Sequence, residues 1–270
     1  MRLSLFQIDA FTSRLFGGNP AAVCPLPHWL DDEVLQQIAQ ENNLSETAFF
    51  VRKADGTYEL RWFTPGAEVD LCGHATLAAA FAIFQKLEPN RDEVAFRTKS
   101  GLLAVHRNEE LLTMDFPADS PRSVPSPPAL LEGLGLAPRE VLLGTHYYLA
   151  IYSSEHEVAQ LRPHMQALMA LEPIGVVASA PGTEVDFVSR FFGPKVGVPE
   201  DPVTGSAHCL AAPYWSRRLG KQELLARQIS RRGGEIHCRM AAGGDRVFLS
   251  GSAVFYLQGE IQIPDKEAAA

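Results

Sequence analysis

The sequence predicts an α+β fold of two similar halves, each a sheet around one central helix. Two stretches support this, running from Arg61 to Phe81 and from Arg190 to Ala212. Each has an Arg with aromatic neighbours, a Pro-containing turn, and a glycine that opens an Ala-rich helix. The first helix, from Gly73, is apolar on almost every side, which is typical of a helix in the middle of a structure. Short apolar segments around it predict strands, so we expect this helix to be wrapped by sheet.

The first half is predicted to begin with strands and one outer helix. Alternating residues predict strands, an Asp31 N-cap precedes an amphipathic helix, and Asp55-Gly56 is a hairpin signal. In order, the predicted elements are strands at 3–11, 21–25, 44–51 and 58–63, the helix from Gly73 to Gln85, and a meander of strands at 94–98, 102–107 and 111–116.

The second half repeats this order after a Pro-rich segment, 118–128, which is the best linker candidate. The predicted elements are strands at 141–153, 174–178, 186–192 and 254–263, helices at 161–170 and 205–219, and a second meander. Pro213 predicts a kink or early end near Cys209 to Pro213 that the first helix lacks. The terminal alanines, 268–270, are expected to fray.

A near-constant offset links the halves. The separation is 129 residues between Arg61 and Arg190 and 132 between Gly73 and Gly205. We interpret this as a duplication, against the alternative of two unrelated α+β domains. The predicted domains are 1–118, with strand 254–263 as a candidate addition, and 129–253.

Composition excludes several classes of function. A net charge of -8 and a pI near 5.5 argue against a nucleic-acid partner. No segment is long and apolar enough to predict a membrane span, and the start lacks the apolar core of a signal peptide. The four cysteines are widely spread, which favours free thiols in a reducing compartment. The expected location is the cytoplasm.

The two helix starts are predicted to bind an anion. The first backbone N–H groups of a helix have no partner within the helix, and the helix dipole favours negative charge there. Gly73, Gly205 and Ser206 are therefore the candidate substrate-binding residues, and a small-molecule carboxylate is the expected ligand.

Glu46 is the candidate acid/base. It stands at the start of an apolar strand, and the nearby Phe49 and Phe50 indicate a desolvated setting. Such a setting moves a carboxyl pKa towards the range useful for proton transfer. A solvated glutamate at a strand end is the alternative that the residues alone leave open.

Cys72, His74 and Asp201 are further candidates. Cys72 could be a catalytic thiol, but the second half has no thiol at the matching place. His74 could hydrogen-bond substrate or Glu46, or bond only to backbone. Asp201 precedes the second helix, where the dipole favours a carboxylate in any case. Neither Cys72 with His74 nor His208 with Cys209 has zinc-ligand spacing, so no metal is predicted.

Five stretches resemble the PhzF-like (phenazine biosynthesis) family, which has the diaminopimelate-epimerase-like fold. They are Asp9 to Thr12, Gly17 to Val23, Asn43 to Phe49, Cys72 to Ala78 and Glu200 to His208. The resemblance implies a cofactor-independent isomerase with two barrel-like halves and an active site in the cleft between them. It also implies Glu46 as general acid/base, with His74, Asp201 and Ser206 as its neighbours.

The sequence thus predicts an isomerase of a small cyclic or unsaturated carboxylate, with Glu46 transferring the proton and without cofactor. The resemblance to this family also implies a biosynthetic process. A second copy of the chain is a candidate partner. Two alternatives stay open: a Cys72-dependent epimerase or dehydratase, and a non-catalytic ligand-binding or interaction protein on the same fold.

Overall fold

The computed structural model describes residues 1–264 of the 270-residue chain. These residues form two compact units. The first contains Met1–Met114 and the chain from Ser252 onwards, and the second contains Asp115–Gly251. The fraying expected at 268–270 lies outside the described residues. None of the helices in residues 1–264 combines the length and apolar composition needed to cross a membrane.

Strands alternate with a few helices along the chain. The elements up to Pro117 are β1 (Arg2–Ala10), β2 (Asn19–Leu26), α1 (Asp32–Asn42), β3 (Glu46–Arg52), β4 (Tyr58–Phe63), β5 (Glu68–Val69), α2 (Gly73–Ala82), β6 (Glu93–Thr98), β7 (Gly101–Asn108) and β8 (Leu111–Pro117).

The elements after Pro117 are β9 (Arg122–Ser123), α3 (Pro128–Leu134), β10 (Glu140–Leu143), β11 (Tyr147–Ile151), α4 (Glu155–Gln160), α5 (Met165–Met169), β12 (Gly175–Pro181), β13 (Phe187–Gly193), β14 (Val198–Asp201), α6 (Gly205–Leu219), β15 (Glu223–Gln228), β16 (Gly234–Met240), β17 (Arg246–Gly251) and β18 (Ala253–Gln262).

The two units repeat one strand order. The first runs β18-β1-β2-β3-β4-β6-β7-β8, and the second runs β9-β10-β11-β12-β13-β15-β16-β17. In the first, β2/β3 and β4/β6 pair in parallel, and in the second β11/β12 and β13/β15 do so. β1 to β8 therefore correspond to β10 to β17, and β18 corresponds to β9. The predicted α+β fold of two similar halves is confirmed.

Each sheet encloses one apolar helix. α2 packs against β1, β2, β3 and β18, and α6 packs against β11, β12, β15, β16 and β17. Along α2, Ala75 and the run from Leu77 to Ala80 are completely buried. Phe81 is half-buried and its ring lies 4.8 Å from that of Phe255. Sheet surrounds these helices, which explains why the first has almost no polar side.

The irregularities of the two helices differ from the prediction. α6 continues unbroken from Gly205 to Leu219, so the early end expected near Pro213 is wrong. Proline cannot donate to the Cys209 carbonyl, but the backbone N–H of Asp119 bonds to that oxygen at 2.9 Å. α2 is the helix that changes form, because it passes into a π-helical turn at Ile83–Leu87.

The Pro-rich segment is more ordered than a linker. Within it, Arg122 of β9 pairs with Leu143 of β10, and α3 begins at Pro128. Proline suits the first turn of a helix because the N–H it lacks would be unpaired there. The helix predicted at 161–170 is shorter than expected, because α5 covers only Met165–Met169, and the separate helix α4 (Glu155–Gln160) before it was not predicted.

The repeated arginines anchor the turn before each central helix. Arg61 binds Glu68 through Nε at 2.7 Å and Nη2 at 3.0 Å, and Arg190 binds Glu200 at the same two distances. Two parallel bonds of this kind fix direction as well as distance. These arginines therefore have a structural role in both units.

Candidate active site

Glu46 is placed by the alternation of β3. It is the first residue of the strand and pairs with Ala21 of β2. Phe49 and Val51 point to the outer face, where they pack with residues of α1. Alternate residues of a strand point to opposite faces, so Glu46 shares the inner face with Ala48. This is the face on which α2 packs.

His74 meets Glu46 from the start of α2. Its Nε2 atom lies 3.1 Å from Glu46 Oε2, and the two side chains are only 7% and 15% exposed. The other ring nitrogen, Nδ1, lies 3.2 Å from Asn19 Nδ2 and 3.5 Å from Cys72 Sγ. An amide can present either its oxygen or its nitrogen, so Asn19 can support the neutral or the charged ring.

The surroundings set the charge of this group. Burial opposes the charged form of His74, but Cys72 and Glu46 outweigh that effect and raise its pKa well above the ordinary value. Burial also raises the pKa of Cys72 to about 11. The charged form of His74 is therefore favoured beside Glu46, and the raised pKa of Cys72 favours its neutral thiol.

Two buried atoms of this pair are left without an aligned hydrogen bond. Among residues 1–264, neither Glu46 Oε2 nor His74 Nε2 makes one, although the two atoms are neighbours. Buried polar atoms in folded proteins almost always have partners. Their 3.1 Å approach to each other is therefore the polar contact that these two atoms have.

The start of α2 adds backbone donors. Its N-cap is Cys72, whose side chain makes no capping hydrogen bond. The Cys72 carbonyl accepts bonds from the backbone N–H of Thr76 at 3.1 Å and from its hydroxyl at 2.6 Å. Gly73 and His74 then occupy the first turn, as the sequence predicted. An anion bound to their N–H groups stays a prediction.

The remaining predicted residues lie at the start of α6. Asp201 ends β14, and one of its carboxylate oxygens accepts a bond from the Thr204 hydroxyl at 2.5 Å. Gly205 opens the helix, and the Ser206 hydroxyl lies 3.0 Å from that of Tyr147. Glu46, Gly73 and His74 thus come together in the first unit, and Asp201, Gly205 and Ser206 in the second. Their catalytic and binding roles stay predictions.

A second buried histidine has a different environment. His208 Nδ1 lies 2.8 Å from the Thr204 carbonyl, to which it donates, and Nε2 lies 3.4 Å from Ser189 Oγ. Burial lowers its pKa to about 4 against a smaller opposing effect of the Thr204 bond. His208 is therefore neutral and holds the first turn of α6.

Three side chains at the first site could in principle meet a metal ion. Donor atoms of Glu46, Cys72 and His74 lie within 4.8 Å of one another. However, Cys72 approaches Nδ1 of the ring and Glu46 approaches Nε2. One ion binds only one of those nitrogens, so this arrangement does not chelate a single ion. The absence of a metal stays a prediction.

Sequence reasoning missed several residues of both sites. Asn19 was not among the predicted site residues, yet it is fully buried and contacts His74. Gln228 is also fully buried, and it bonds to the Thr204 N–H at 3.0 Å and the Asp201 carbonyl at 2.7 Å. A polar residue at the end of an otherwise apolar strand was the available signal in each case.

The fold places this chain in the epimerase-like α+β class, and its named relatives identify it as an isomerase. The chain belongs to the phenazine biosynthesis-like protein family, whose model matches residues 8–259. An uncharacterised isomerase of Pseudomonas aeruginosa is 52% identical over 263 residues, covering 97% of this chain and 100% of the relative.

Solved structures agree with this assignment. A PhzF family protein of Enterococcus faecalis has a TM-score of 0.94 at 44% identity, covering 97% of this chain and 100% of its own. A predicted epimerase of Pseudomonas aeruginosa has a TM-score of 0.74 at 21% identity over the same shares, which shows the common fold.

Proposed function

We propose that this isomerase moves a proton within a small cyclic or unsaturated carboxylate, that Glu46 carries the proton, and that no cofactor takes part. The observation that carries the proposal is the 3.1 Å approach of Glu46 Oε2 to His74 Nε2 in a largely buried setting. A carboxyl group and an imidazole in contact, away from bulk water, form a pair of groups that can take up and return a proton.

The chemistry balances with the protein's own groups. Glu46 takes a proton from a substrate carbon next to a C=C bond. The electron pair of that C–H bond forms the new double bond, and the pair of the old double bond takes the proton back from Glu46 at the far carbon. The charge on His74 stabilises the carboxylate before transfer and at the return of the proton. The reaction consumes no oxidant or reductant.

The start of α2 supports binding of the substrate carboxylate. Backbone N–H groups at a helix start, together with the helix dipole, attract an anion. The Cys72 side chain does not cap these groups. A carboxylate held there would lie close to His74 and hence to Glu46.

The environment of Cys72 argues against the thiol-dependent alternative. A thiol whose pKa is raised to about 11 carries little thiolate near neutral pH, and thiolate is the reactive form. The N-cap of α6 is Thr204, so the second unit offers no matching thiol. A purely binding protein is also disfavoured, since a buried acid beside a buried histidine costs folding free energy and needs a function to explain it.

The test begins with a ligand. Screening cyclic and unsaturated carboxylic acids for thermal stabilisation identifies compounds that bind the folded protein. Each binder is then incubated with enzyme in D₂O, and NMR follows deuterium entering the carbon skeleton and movement of the double bond.

Glu46→Gln should still bind these acids but lose exchange and isomerisation by at least about 100-fold, because the amide keeps the size and hydrogen bonding but cannot accept the proton. Glu110→Gln, at an exposed turn, is the matched control and should behave as the unchanged protein. A Glu46→Gln protein with undiminished exchange would refute the proposal.

A further inference from the structure

One of the three tryptophans differs from the others in its indole N–H group. Trp29 donates to Glu59 at 2.6 Å, and Trp215 donates to Ser179 at 2.8 Å. Trp62 is only 1% exposed, and among residues 1–264 its Nε1 has no hydrogen-bond partner. A buried donor without a partner costs folding free energy, so its retention calls for an explanation.

The strand register places Trp62 beside Glu46. Trp62 of β4 pairs with Ala48 of β3, which shares the inner face with Glu46. Glu46 and Trp62 are therefore diagonal neighbours, a relation that lets long side chains touch. Phe50 and Tyr58 stand in the same diagonal relation further along these strands, and their rings are 5.3 Å apart.

The other neighbour of Trp62 also leads to the site. On its second side Trp62 pairs with Val69 of β5, three residues before Cys72. The indole thus lies between the strand that carries Glu46 and the segment that enters α2. Opposite it, the Ala48 side chain has no atom that could accept a hydrogen bond from the indole.

In the second unit, the two positions that correspond to Glu46 and Trp62 carry no polar side chain. By strand order and register, Gly175 of β12 corresponds to Glu46 and Phe191 of β13 to Trp62. A Cβ atom on Gly175 would lie 2.6 Å from Cζ of Phe191, so the ring covers the glycine directly. An aromatic ring at this position therefore reaches the place from which the Glu46 side chain starts.

We infer that Trp62 is a substrate-positioning residue: its Nε1–H donates to an acceptor on the substrate that is separate from the carboxylate. Phe191 shows that the fold accepts a plain hydrocarbon ring here, so packing alone does not require an indole. An indole N–H is a neutral donor and suits a hydroxyl or keto oxygen. The inference rests on the proposed function and narrows its substrate class to carboxylates that carry a second oxygen.

The first test needs no ligand. Trp62→Phe removes the unpaired donor together with part of the ring, so it loses packing but no hydrogen bond, and its melting temperature should fall less than that of a Trp→Phe change that also breaks a bond. The control Trp215→Phe removes a donor whose partner Ser179 is completely buried, so it should melt at a lower temperature. A Trp62→Phe protein destabilised as much as Trp215→Phe would show that the N–H is already bonded, and would overturn the inference.

The second test uses calorimetric titration with benzoate and with 2-, 3- and 4-hydroxybenzoate. The unchanged protein should bind at least one hydroxybenzoate about tenfold more tightly than benzoate, since that is the effect of one hydrogen bond of about 1.4 kcal/mol. Trp62→Phe should reduce this preference to less than twofold and leave benzoate binding unaltered, while Trp215→Phe should keep the preference.

The outcomes separate the two claims. Benzoate binding without any preference, or a preference that survives in Trp62→Phe, would refute the role of Trp62 and leave the carboxylate proposal intact. Failure of all four acids to bind would contradict the carboxylate proposal, and the inference with it.

Discussion

The starts of α2 and α6 share one backbone design but carry different chemistry. Each helix opens with a glycine after an N-cap residue in extended conformation whose side chain does not cap. The corresponding positions are occupied by Glu46, Cys72, His74 and Trp62 in the first unit and by Gly175, Thr204, Ser206 and Phe191 in the second. Only the first set contains an acid and a histidine in contact.

A shared hydrogen bond shows how residue type can mislead. Thr76 in α2 and His208 in α6 stand at equivalent places, four residues after the N-cap, and each donates to the N-cap carbonyl. His208 thus makes in α6 the hydrogen bond that Thr76 makes in α2. His74, two residues after its own N-cap, instead contacts Glu46. Position relative to the helix start, rather than the presence of histidine, distinguishes the candidate acid/base pair.

Replacing each histidine in turn should give the largest difference between the two helix starts. His74→Gln should lower isomerase activity by at least about 100-fold, because it removes the charge next to Glu46, the proposed proton carrier. His208→Gln should chiefly lower the melting temperature, because it loses a buried bond that holds the first turn of α6. Activity is measured on folded protein with any acid found to exchange. Comparable activity losses in both variants would contradict the distinction.

The loss of folding stability at acid pH should depend on His208. Its pKa is about 4 when folded against 6.5 for an ordinary histidine, because burial disfavours the charge. Between these values the unfolded chain binds more protons, so stability falls as pH falls through this window, by up to about 3 kcal/mol. Urea unfolding at pH 4 to 7 should show a shallower acid loss in His208→Gln than in the unchanged protein. Equal slopes would contradict a neutral, buried His208.

The contrast between Gly175 and Glu46 can be tested by adding one methyl group. Gly175→Ala should cost about 1–3 kcal/mol of stability, because the new Cβ would meet the Phe191 ring and the Phe192 carbonyl. Denaturant unfolding measures the loss. Adding Phe191→Leu should recover part of it, since the two residues are in contact. Strict additivity of the two substitutions would show that the ring does not cover the glycine.

The smallest effect is expected at the N-caps. Cys72→Ser should change turnover by less than tenfold, because burial favours the neutral thiol and the proposed proton carrier is Glu46. Steady-state rates of Cys72→Ser, with Cys24→Ser as a buried thiol control, would decide this. A loss of several orders of magnitude in Cys72→Ser alone would favour the thiol-dependent epimerase.

Local patterns made much of the fold predictable. The apolar sides of α2 and the repeated Arg–aromatic–glycine order depend on nearby residues, and they indicated two sheet-wrapped helices. The unbroken path of α6 through Pro213 was not predictable, because it depends on the Asp119 N–H, which lies far away in sequence. The π-helical turn after α2 has no sequence signal that we recognise.

The candidate site was predictable only in part. The family resemblance pointed to Glu46 and His74, which the structure brings together. Asn19 and Trp62 were not predicted as site residues. Asn19 follows two glycines and Trp62 stands in an apolar strand, and neither setting indicates a polar role. The lack of a partner for the Trp62 indole becomes visible only when every acceptor around it is placed by strand register.

The central claim is that the start of α2 holds a charged acid/base pair and the start of α6 does not. ¹⁵N NMR of histidine-labelled protein from pH 4 to 9 tests it directly, with signals assigned through His74→Gln and His208→Gln. We expect His74 to remain doubly protonated well above pH 6.5, and to lose its second proton at a lower pH in Glu46→Gln. We expect His208 to stay neutral until the pH falls to about 4. Titration of both rings near pH 6.5, or a neutral His74 at that pH, would contradict the account.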